Sequence, residues 1–462
     1  MRSSKGQGAM QGELMARMNL TKGNPFERYR MSRRPQEVAL IACPWTFFDE
    51  VEFQSQQLGL GYVGAAAVQF GHKICAFIDP MLDEGKENSA PIQTKLQTTK
   101  RFGHSDEWIV SQIPASTDYI GINAPFTDSR IVLYPLVKKI KERFPRTPVV
   151  VGGVLATTLP RQVLEQSGAD IVVKGEGEIA FGRILNGDPL ETIPGLVFRR
   201  EDGRVFQNPL RSEQLLDVDL IPWPGYEFRP MEEYVRWSPR GDRHDRTLSF
   251  ISSRGCPFTC EFCSIPEKGQ RWRPFSPERV LAEISMAIER WGVNHIEFED
   301  DNFTLLEPRA LAVLQHLRDL RRKGHRFSCS FPNGIMIDKM TSELSVLLAE
   351  AGADIIYLPV ESGDLRVLMS MNKPMAEKHL EKTLQVARWC VDAGLTTSTF
   401  FIVAYPGGRL SRRHVQNKDA MERFASHVIT DGDEAFMAGE DEKSYENTLA
   451  FCRQLRSIGV EG

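Results

Sequence analysis

The 462-residue chain is notable first for what it lacks. No apolar run approaches the roughly 20 residues needed to cross a bilayer, so no membrane span is expected. Residues 1–35 are polar and mildly basic, without the apolar core of a signal peptide. They read as a disordered tail, and the setting reads as cytoplasmic. A net charge of −4 excludes the broadly basic surface that nucleic acids select, so no nucleic-acid partner is expected. Cysteine is sparse, and five of the eight (Cys43, Cys75, Cys329, Cys390 and Cys452) stand singly, as small buried apolar residues do. After the first predicted strand there is no G-x-G-x-x-G, which excludes the usual dinucleotide fingerprint. Nor is there any histidine between Cys43 and Gly59.

Against that background one stretch stands out: Ser253-Arg254-Gly255-Cys256-Pro257-Phe258-Thr259-Cys260-Glu261-Phe262-Cys263, with cysteines spaced C-x3-C-x2-C. Three thiolates this close suit three irons of a four-iron cluster and leave the fourth without a protein ligand. A vacant iron is a place to chelate a small molecule. A zinc knuckle would need a fourth cysteine or histidine at ligand spacing. The next candidates, His295 and Cys329, are far along the chain.

The rest reads as two α/β modules. Over 36–212, short β-branched runs (38–42, 73–78, 118–122, 149–151 and 170–173) alternate with helical stretches such as 129–144 and 159–167. This pattern predicts a doubly wound, Rossmann-like parallel sheet, whose ligands sit beyond the carboxyl ends of the strands. Thr158 is expected to cap the helix starting near Pro160. The predicted strand ends carry Trp45, then Asn123, Phe126 and Thr127, then Gly152, Gly153 and Thr157, then Gly175, Glu176 and Gly177. Glycines there let a ligand approach the backbone closely, and four such loops on one edge suit a flat ligand. The Pro-rich segment within 213–246 reads as a linker, with 234–246 a charged loop. From Thr247, five strand–helix repeats predict a partial TIM-like barrel over 247–462 with its site at the strands' carboxyl mouth. The cysteine loop, Asp300-Asp301-Asn302, Pro332-Asn333-Gly334, Glu361-Ser362-Gly363 and Tyr405-Pro406-Gly407-Gly408 all fall at that mouth.

These residues resemble a radical S-adenosylmethionine (SAM) enzyme over 247–406, and the front module resembles a cobalamin-binding domain over 37–197. Together they look like the cobalamin-dependent radical SAM class, best known for methyltransferases. The resemblance implies that Cys256, Cys260 and Cys263 hold a 4Fe-4S cluster whose open iron chelates the amino and carboxylate groups of SAM. It also implies that Phe262, Asp300, Asp301, Glu361, Ser362, Tyr405 and Pro406 contact SAM. The front-module residues named above, Trp45 to Gly177, would line cobalamin, with Phe47 or Phe48 also packing near the corrin. The implied chemistry is a one-electron opening of the sulfonium bond, hydrogen abstraction from an unactivated position of a small molecule, and capture of a methyl group carried on cobalt. A reductant such as a flavodoxin or ferredoxin is implied. No side chain is assigned as catalytic.

The chain also departs from its resemblance. Cobalamin domains of the methionine-synthase type carry D-x-H-x-x-G after the first strand, so here no protein histidine is expected on cobalt. His104 is expected to be a surface or capping residue. A charged stretch, 409–442, separates Tyr405-Pro406-Gly407-Gly408 from a helix over 445–458, and the chain ends where a sixth barrel strand is expected. An incomplete barrel, a covering partner or a truncated sequence would each account for that. Alternatives are a radical cyclisation or rearrangement without methyl transfer, and a non-catalytic cobalamin-binding protein with a vestigial barrel. Methylthiotransferases of tRNA share the triad but need three more cysteines in front, where only Cys43 and Cys75 lie.

Overall fold

The computed structural model describes residues 26, 34–47, 56–82, 92–93, 98–210, 217–236, 246–264, 271–410, 422–431 and 434–461. The chain forms two compact units, Met1–Met231 and Glu232–Gly462. Phe48 lies outside the described residues, as does most of the expected tail. Two tail residues are anchored: Phe26 is buried edge-on against Phe70, and Arg34 pairs with Asp118 at 2.7 Å.

The first unit is built on β1 (Glu37–Ala42), β3 (Lys73–Ile78), β6 (Tyr119–Asn123), β7 (Val149–Gly152) and β8 (Ile171–Val173). These run parallel in the order β3-β1-β6-β7-β8. Two strands missed in the sequence, β9 (Leu196–Arg199) and β10 (Val205–Gln207), extend the β8 edge antiparallel. Both faces are covered, which the period-two alternation of β1 shows. Val38, Leu40 and Ala42 join the core beneath α1 (Leu58–Gln69) and α6 (Glu178–Leu185). Ala39, Ile41 and Cys43 join the core beneath α3 (Arg130–Arg143) and α5 (Pro160–Ser167). A side sheet pairs β2 (Trp45–Phe47) with β5 (Thr98–Phe102), which also pairs with β4 (Ile92–Gln93).

Three expectations are corrected here. Thr158 ends a short helix, α4 (Val154–Thr158), and its hydroxyl donates to the Val154 carbonyl at 3.0 Å; Leu159 is the N-cap of α5. The loop expected from Tyr234 begins as helix α7 (Met231–Arg236), with Tyr234 1% exposed. His104 is buried, not at the surface; its ring stacks on Trp108 of α2 (Asp106–Ser111) at 3.9 Å. The described part of the Pro-rich segment packs on the first unit, where Phe228 meets Phe77 and Arg229 donates to the carbonyls of Pro224 and Gln56.

In the second unit β11 (Thr247–Phe250), β14 (His295–Phe298), β15 (Ser328–Phe331), β16 (Ala353–Glu361) and β17 (Thr396–Phe401) are parallel and neighbour one another in chain order. The crossovers are α8 (Pro277–Trp291), α9 (Glu307–Arg322), α10 (Ser342–Ala351) and, after a short α11 (Leu365–Ser370), α12 (Ala376–Asp392). Helix limits follow local chemistry. Ser276 caps α8 through the Arg279 amide, Pro277 fills its first turn, and Gly292 at φ +61° ends it. Each such cap is worth about 1 kcal/mol. The charged stretch contributes a small antiparallel sheet, in which β18 (Gly407–Arg409) and β19 (Val428–Asp431) flank β20 (Glu434–Ala438). Helix α13 (Glu442–Ile458) follows, opened by an Asp441–Ser444 capping box.

Candidate functional site

The cysteine loop leaves β11 and is pinned from three sides. Its first residues form β12 (Ser253–Arg254), paired with β13 (Arg273–Pro274). Beyond β14, Asp300 is 2% exposed, and its carboxylate accepts from the Ser252 amide at 2.9 Å and from the hydroxyls of Ser252 and Ser253. From α9, Arg309 donates to the Ser252 carbonyl at 2.5 Å. After α11, the Met371 carbonyl accepts from the Glu261 amide at 3.0 Å, and Asn372 donates to the Thr259 carbonyl at 2.8 Å. A loop held by this many buried hydrogen bonds keeps its thiols positioned before any ligand arrives.

The three thiols border one cavity of about 520 Å³, whose other walls are the segments following β14, β15 and β16 together with Pro359 and Glu361 of β16 and Phe400 of β17. Asn302 donates to Cys256 Sγ at 3.0 Å, a contact that suits a thiolate acceptor. Burial pushes the Cys260 thiol up to about 11, against the pull of the Lys373 ammonium. Loading a metal must therefore displace protons.

Opposite the thiols, β16 ends in a register shift between Pro359 and Glu361, and Glu361 takes φ +66°. A bulge and a left-handed non-glycine residue at a strand end re-aim a side chain at a cost of about 1–3 kcal/mol. Here they bring the Glu361 carboxylate to the cavity, where Lys373 Nζ donates to it at 2.7 Å. Both side chains are about nine-tenths buried, at 10% and 11% exposure, so the pair is desolvated and strongly coupled.

The expected SAM-contact residues divide. Phe262, Asp301 and Glu361 line the cavity with the cysteines, and Asp300, Ser362, Tyr405 and Pro406 do not. Asp300 braces the loop. Ser362 is fully buried and bonds to Thr448 of α13, tying β16 to that helix. The Tyr405 hydroxyl donates to the Ser370 carbonyl at 3.3 Å, and burial with the Glu261 carboxylate pushes its pKa up to about 12. Pro406 is exposed. Two residues escaped sequence reasoning. Lys373, in the turn before α12, and His379, on its first turn, both line the cavity, where no local spacing marks them.

In the first unit the expected residues follow the carboxyl ends of β1, β6, β7 and β8, Trp45 opening β2 just after β1. Phe126 is 45% exposed and stands edge-on to buried Trp45, their centroids 4.9 Å apart. The side chain of Phe47 lies outside what is described. Thr127 opens a single 3-10 turn, Thr127–Ser129. A Cβ on Gly152 would meet nothing within 4 Å, so the strand end there is open. Gly153 differs: at φ +101°, a Cβ would lie 2.4 Å from the Ala124 carbonyl oxygen and 2.6 Å from Asn123 Oδ1. Thr157 cross-links two loops, donating to the Gly153 carbonyl and accepting from the Gly175 amide. Glu176 is half-buried beside Gly177, the N-cap of α6.

Both sites fit the groups their residues suggest. Among the described residues, no three His, Cys, Asp or Glu side chains are close enough for one metal ion. The three thiols border one cavity, where a 4Fe-4S cluster would take one iron at each thiolate. The first unit's edge offers an open glycine at the end of β7 and an exposed aromatic ring after β6, features that suit a broad flat ring system. No helix among the described residues is long and apolar enough to cross a membrane.

Known proteins agree with this division. The Radical SAM superfamily profile matches residues 250–412, and the B12 binding domain profile matches 45–185. The chain is 28% identical over 407 residues to cytidylyl-2-hydroxyethylphosphonate methyltransferase of Streptomyces wedmorensis, covering 81% of this chain and 74% of that protein. It is 31% identical over 296 residues to an uncharacterized methyltransferase of Pyrococcus horikoshii, covering 63% and 61% respectively. The fold is that of the cobalamin-dependent SAM radical enzyme OxsB, solved with aqua-cobalamin and SAM bound (TM-score 0.62, 18% identity, 92% of this chain and 56% of that one). Several relatives are thus longer than the part this chain spans. The chain thus carries a radical SAM region behind a B12-binding region, which imply a 4Fe-4S cluster, SAM and cobalamin as cofactors.

Proposed function

We propose that the protein is a cobalamin-dependent radical SAM methyltransferase acting on an unactivated position of a small molecule. The observation that carries this reading is the cavity that gathers three thiols, the Lys373–Glu361 pair and Asp301 in one unit of a chain whose other unit is a B12-binding domain. When bound, the cofactors supply an electron, a sulfonium group and a transferable methyl. The chain's own residues receive and orient them. Cys256, Cys260 and Cys263 hold the cluster, and the Asn302 N–H bonded to Cys256 Sγ stabilises charge on that sulfur. Asp301 and Glu361 face the cavity and attract a ligand's cationic groups, and Lys373 attracts a carboxylate. Apolar walls from Phe258, Ile335, Ile337 and Phe400 keep water from the reacting centre. Trp45, Phe126 and Gly152 line the corrin site. A flavodoxin or ferredoxin supplies the electron, and eight free cysteines suit a reducing, cytoplasmic setting.

The test is anaerobic reconstitution with iron, sulfide and cobalamin, followed by reductant and SAM. Formation of 5′-deoxyadenosine together with S-adenosylhomocysteine supports the reading. A cluster-loaded protein that forms neither would contradict it. Deoxyadenosine without a product heavier by one methylene would favour a radical rearrangement instead.

A further inference from the structure

Among the described residues, Asn302 is the one side chain that donates a hydrogen bond to any of the three thiols, reaching Cys256 Sγ at 3.0 Å. A thiolate that binds iron has lone pairs only, so the Nδ2 end of the amide is the end that faces it. The Phe258 backbone N–H also favours the thiolate at Cys256. The side-chain donor is held in place from two directions. Asn302 is 9% exposed, and its carbonyl accepts from Trp272 Nε1 at 3.2 Å. Trp272 directly precedes β13, whose partner β12 ends two residues before Cys256. On the other side, Asp300 is bonded to the Ser252 amide and the Ser253 hydroxyl, which lead into the same cysteine loop. Donor and acceptor are thus fixed to one another through a short, closed circuit of backbone.

Such a bond has an electrical consequence. A 4Fe-4S cluster that gains an electron places part of the new charge on its sulfurs, and N–H donors at those sulfurs raise its reduction potential. A donor fixed beforehand does so without reorienting when the electron arrives. The adjacent residue works in the opposite sense, because the Asp301 carboxylate disfavours negative charge at Cys256. Two neighbours after β14 therefore set the charge balance at one corner of the triad. That balance decides how readily an outside one-electron carrier reduces the cluster.

We propose that Asn302 is a positioning residue for the cluster's electron: its Nδ2–H bond to Cys256 Sγ raises the reduction potential of the cluster. This rests on the reading that the triad holds a 4Fe-4S cluster. The experiment is a redox titration of the full chain, loaded anaerobically with iron and sulfide and followed by electron paramagnetic resonance of the reduced cluster. N302L keeps the side chain's size and removes the donor. It should lower the equilibrium constant for reduction about tenfold, a midpoint about 59 mV more negative for a one-electron couple. N302D, which adds a negative charge at the same place, should lower it further, and N302Q, which keeps an amide, should recover part of the shift. Wild type carrying heavy nitrogen in its asparagine side chains should show a weak nitrogen coupling to the reduced cluster, and N302L should lose it. An asparagine that merely braced the loop would change iron content or the unfolding midpoint and leave the potential alone. A fully loaded N302L with the wild-type potential overturns the assignment. So does the absence of any asparagine coupling in loaded wild type, a result that needs no variant. Wild-type protein that takes up no four-iron cluster would instead sink the functional reading beneath it.

Discussion

The two units present their ligands with opposite materials. The first unit's carboxyl edge is made of removed side chains, with an open Gly152 and a strained Gly153, and of the edge-on Trp45–Phe126 aromatic pair. The second unit's mouth is made of added chemistry: three thiols, a buried ion pair and an imidazole. A flat, preassembled cofactor asks its protein mainly for room. A cluster that must be chelated and a flexible sulfonium ask for ligands and charge. The buried histidines repeat the contrast. His72, in the first unit, has both ring nitrogens engaged, accepting from the Gln36 amide at 3.2 Å and meeting Asn186 Oδ1 at 3.1 Å. His379 has one nitrogen left over, at a cavity.

The largest expected effect separates the units outright. C260A should abolish formation of the four-iron cluster and of 5′-deoxyadenosine while leaving cobalamin binding within about twofold of wild type, since the thiol serves the second unit alone. Iron and sulfide content beside a cobalamin titration measures both, and loss of cobalamin binding would break the comparison. Next come neighbouring aspartates with opposite roles. D300A should cost about 2–4 kcal/mol in denaturant unfolding, because it strands the Ser252 and Ser253 donors. D301A should leave stability within about 0.5 kcal/mol yet weaken SAM binding. Similar unfolding midpoints for the two would erase the distinction between brace and ligand contact.

In the first unit the paired glycines make the same distinction at smaller scale. G153A should destabilise by about 2–3 kcal/mol, from its positive φ and the clash with Ala124. G152A should cost less than about 0.5 kcal/mol while weakening cobalamin binding about fivefold, measured by urea unfolding and by corrinoid absorbance. The smallest effect is one of pH. Burial lowers the pKa of both His72 and His379 below the ordinary 6.5, His379 to about 3. The unfolded chain then binds more protons than the folded one as pH falls. Stability held above 6.5 is lost progressively below it, down to about 3 for His379. Hydrogen exchange resolved by unit should show H379Q flattening the acid dependence in Glu232–Gly462 only.

Elements with strong local punctuation were legible in the sequence. Helix Pro277–Trp291 and strand His295–Phe298 match their expected limits, because Ser276-Pro277 starts the helix and Gly292 stops it. The hairpin β9–β10 was missed because its strands are only four and three residues long and its turn resembles a charged loop. The small sheet β18–β20 lay hidden in a charged stretch for the same reason. At the site, local spacing exposed the thiols but could not say which of Asp300 and Asp301 turns inward. Adjacent residues at a strand end point to opposite sides, and only the loop they meet decides which is bonded away. Lys373 and His379 were illegible because they come from the turn before α12 and from its first turn, which the β16 crossover returns to the mouth.

The central claim is that the three-thiol cavity holds a cluster whose remaining iron grips SAM. Its most direct test is electron–nuclear double resonance on the reduced, anaerobically loaded protein with SAM labelled in its carboxylate and amino groups. The account predicts about four irons per second unit and a hyperfine coupling from both labelled groups to the cluster. A cluster signal unchanged by labelled SAM, or zinc in place of iron on the three cysteines, would contradict it.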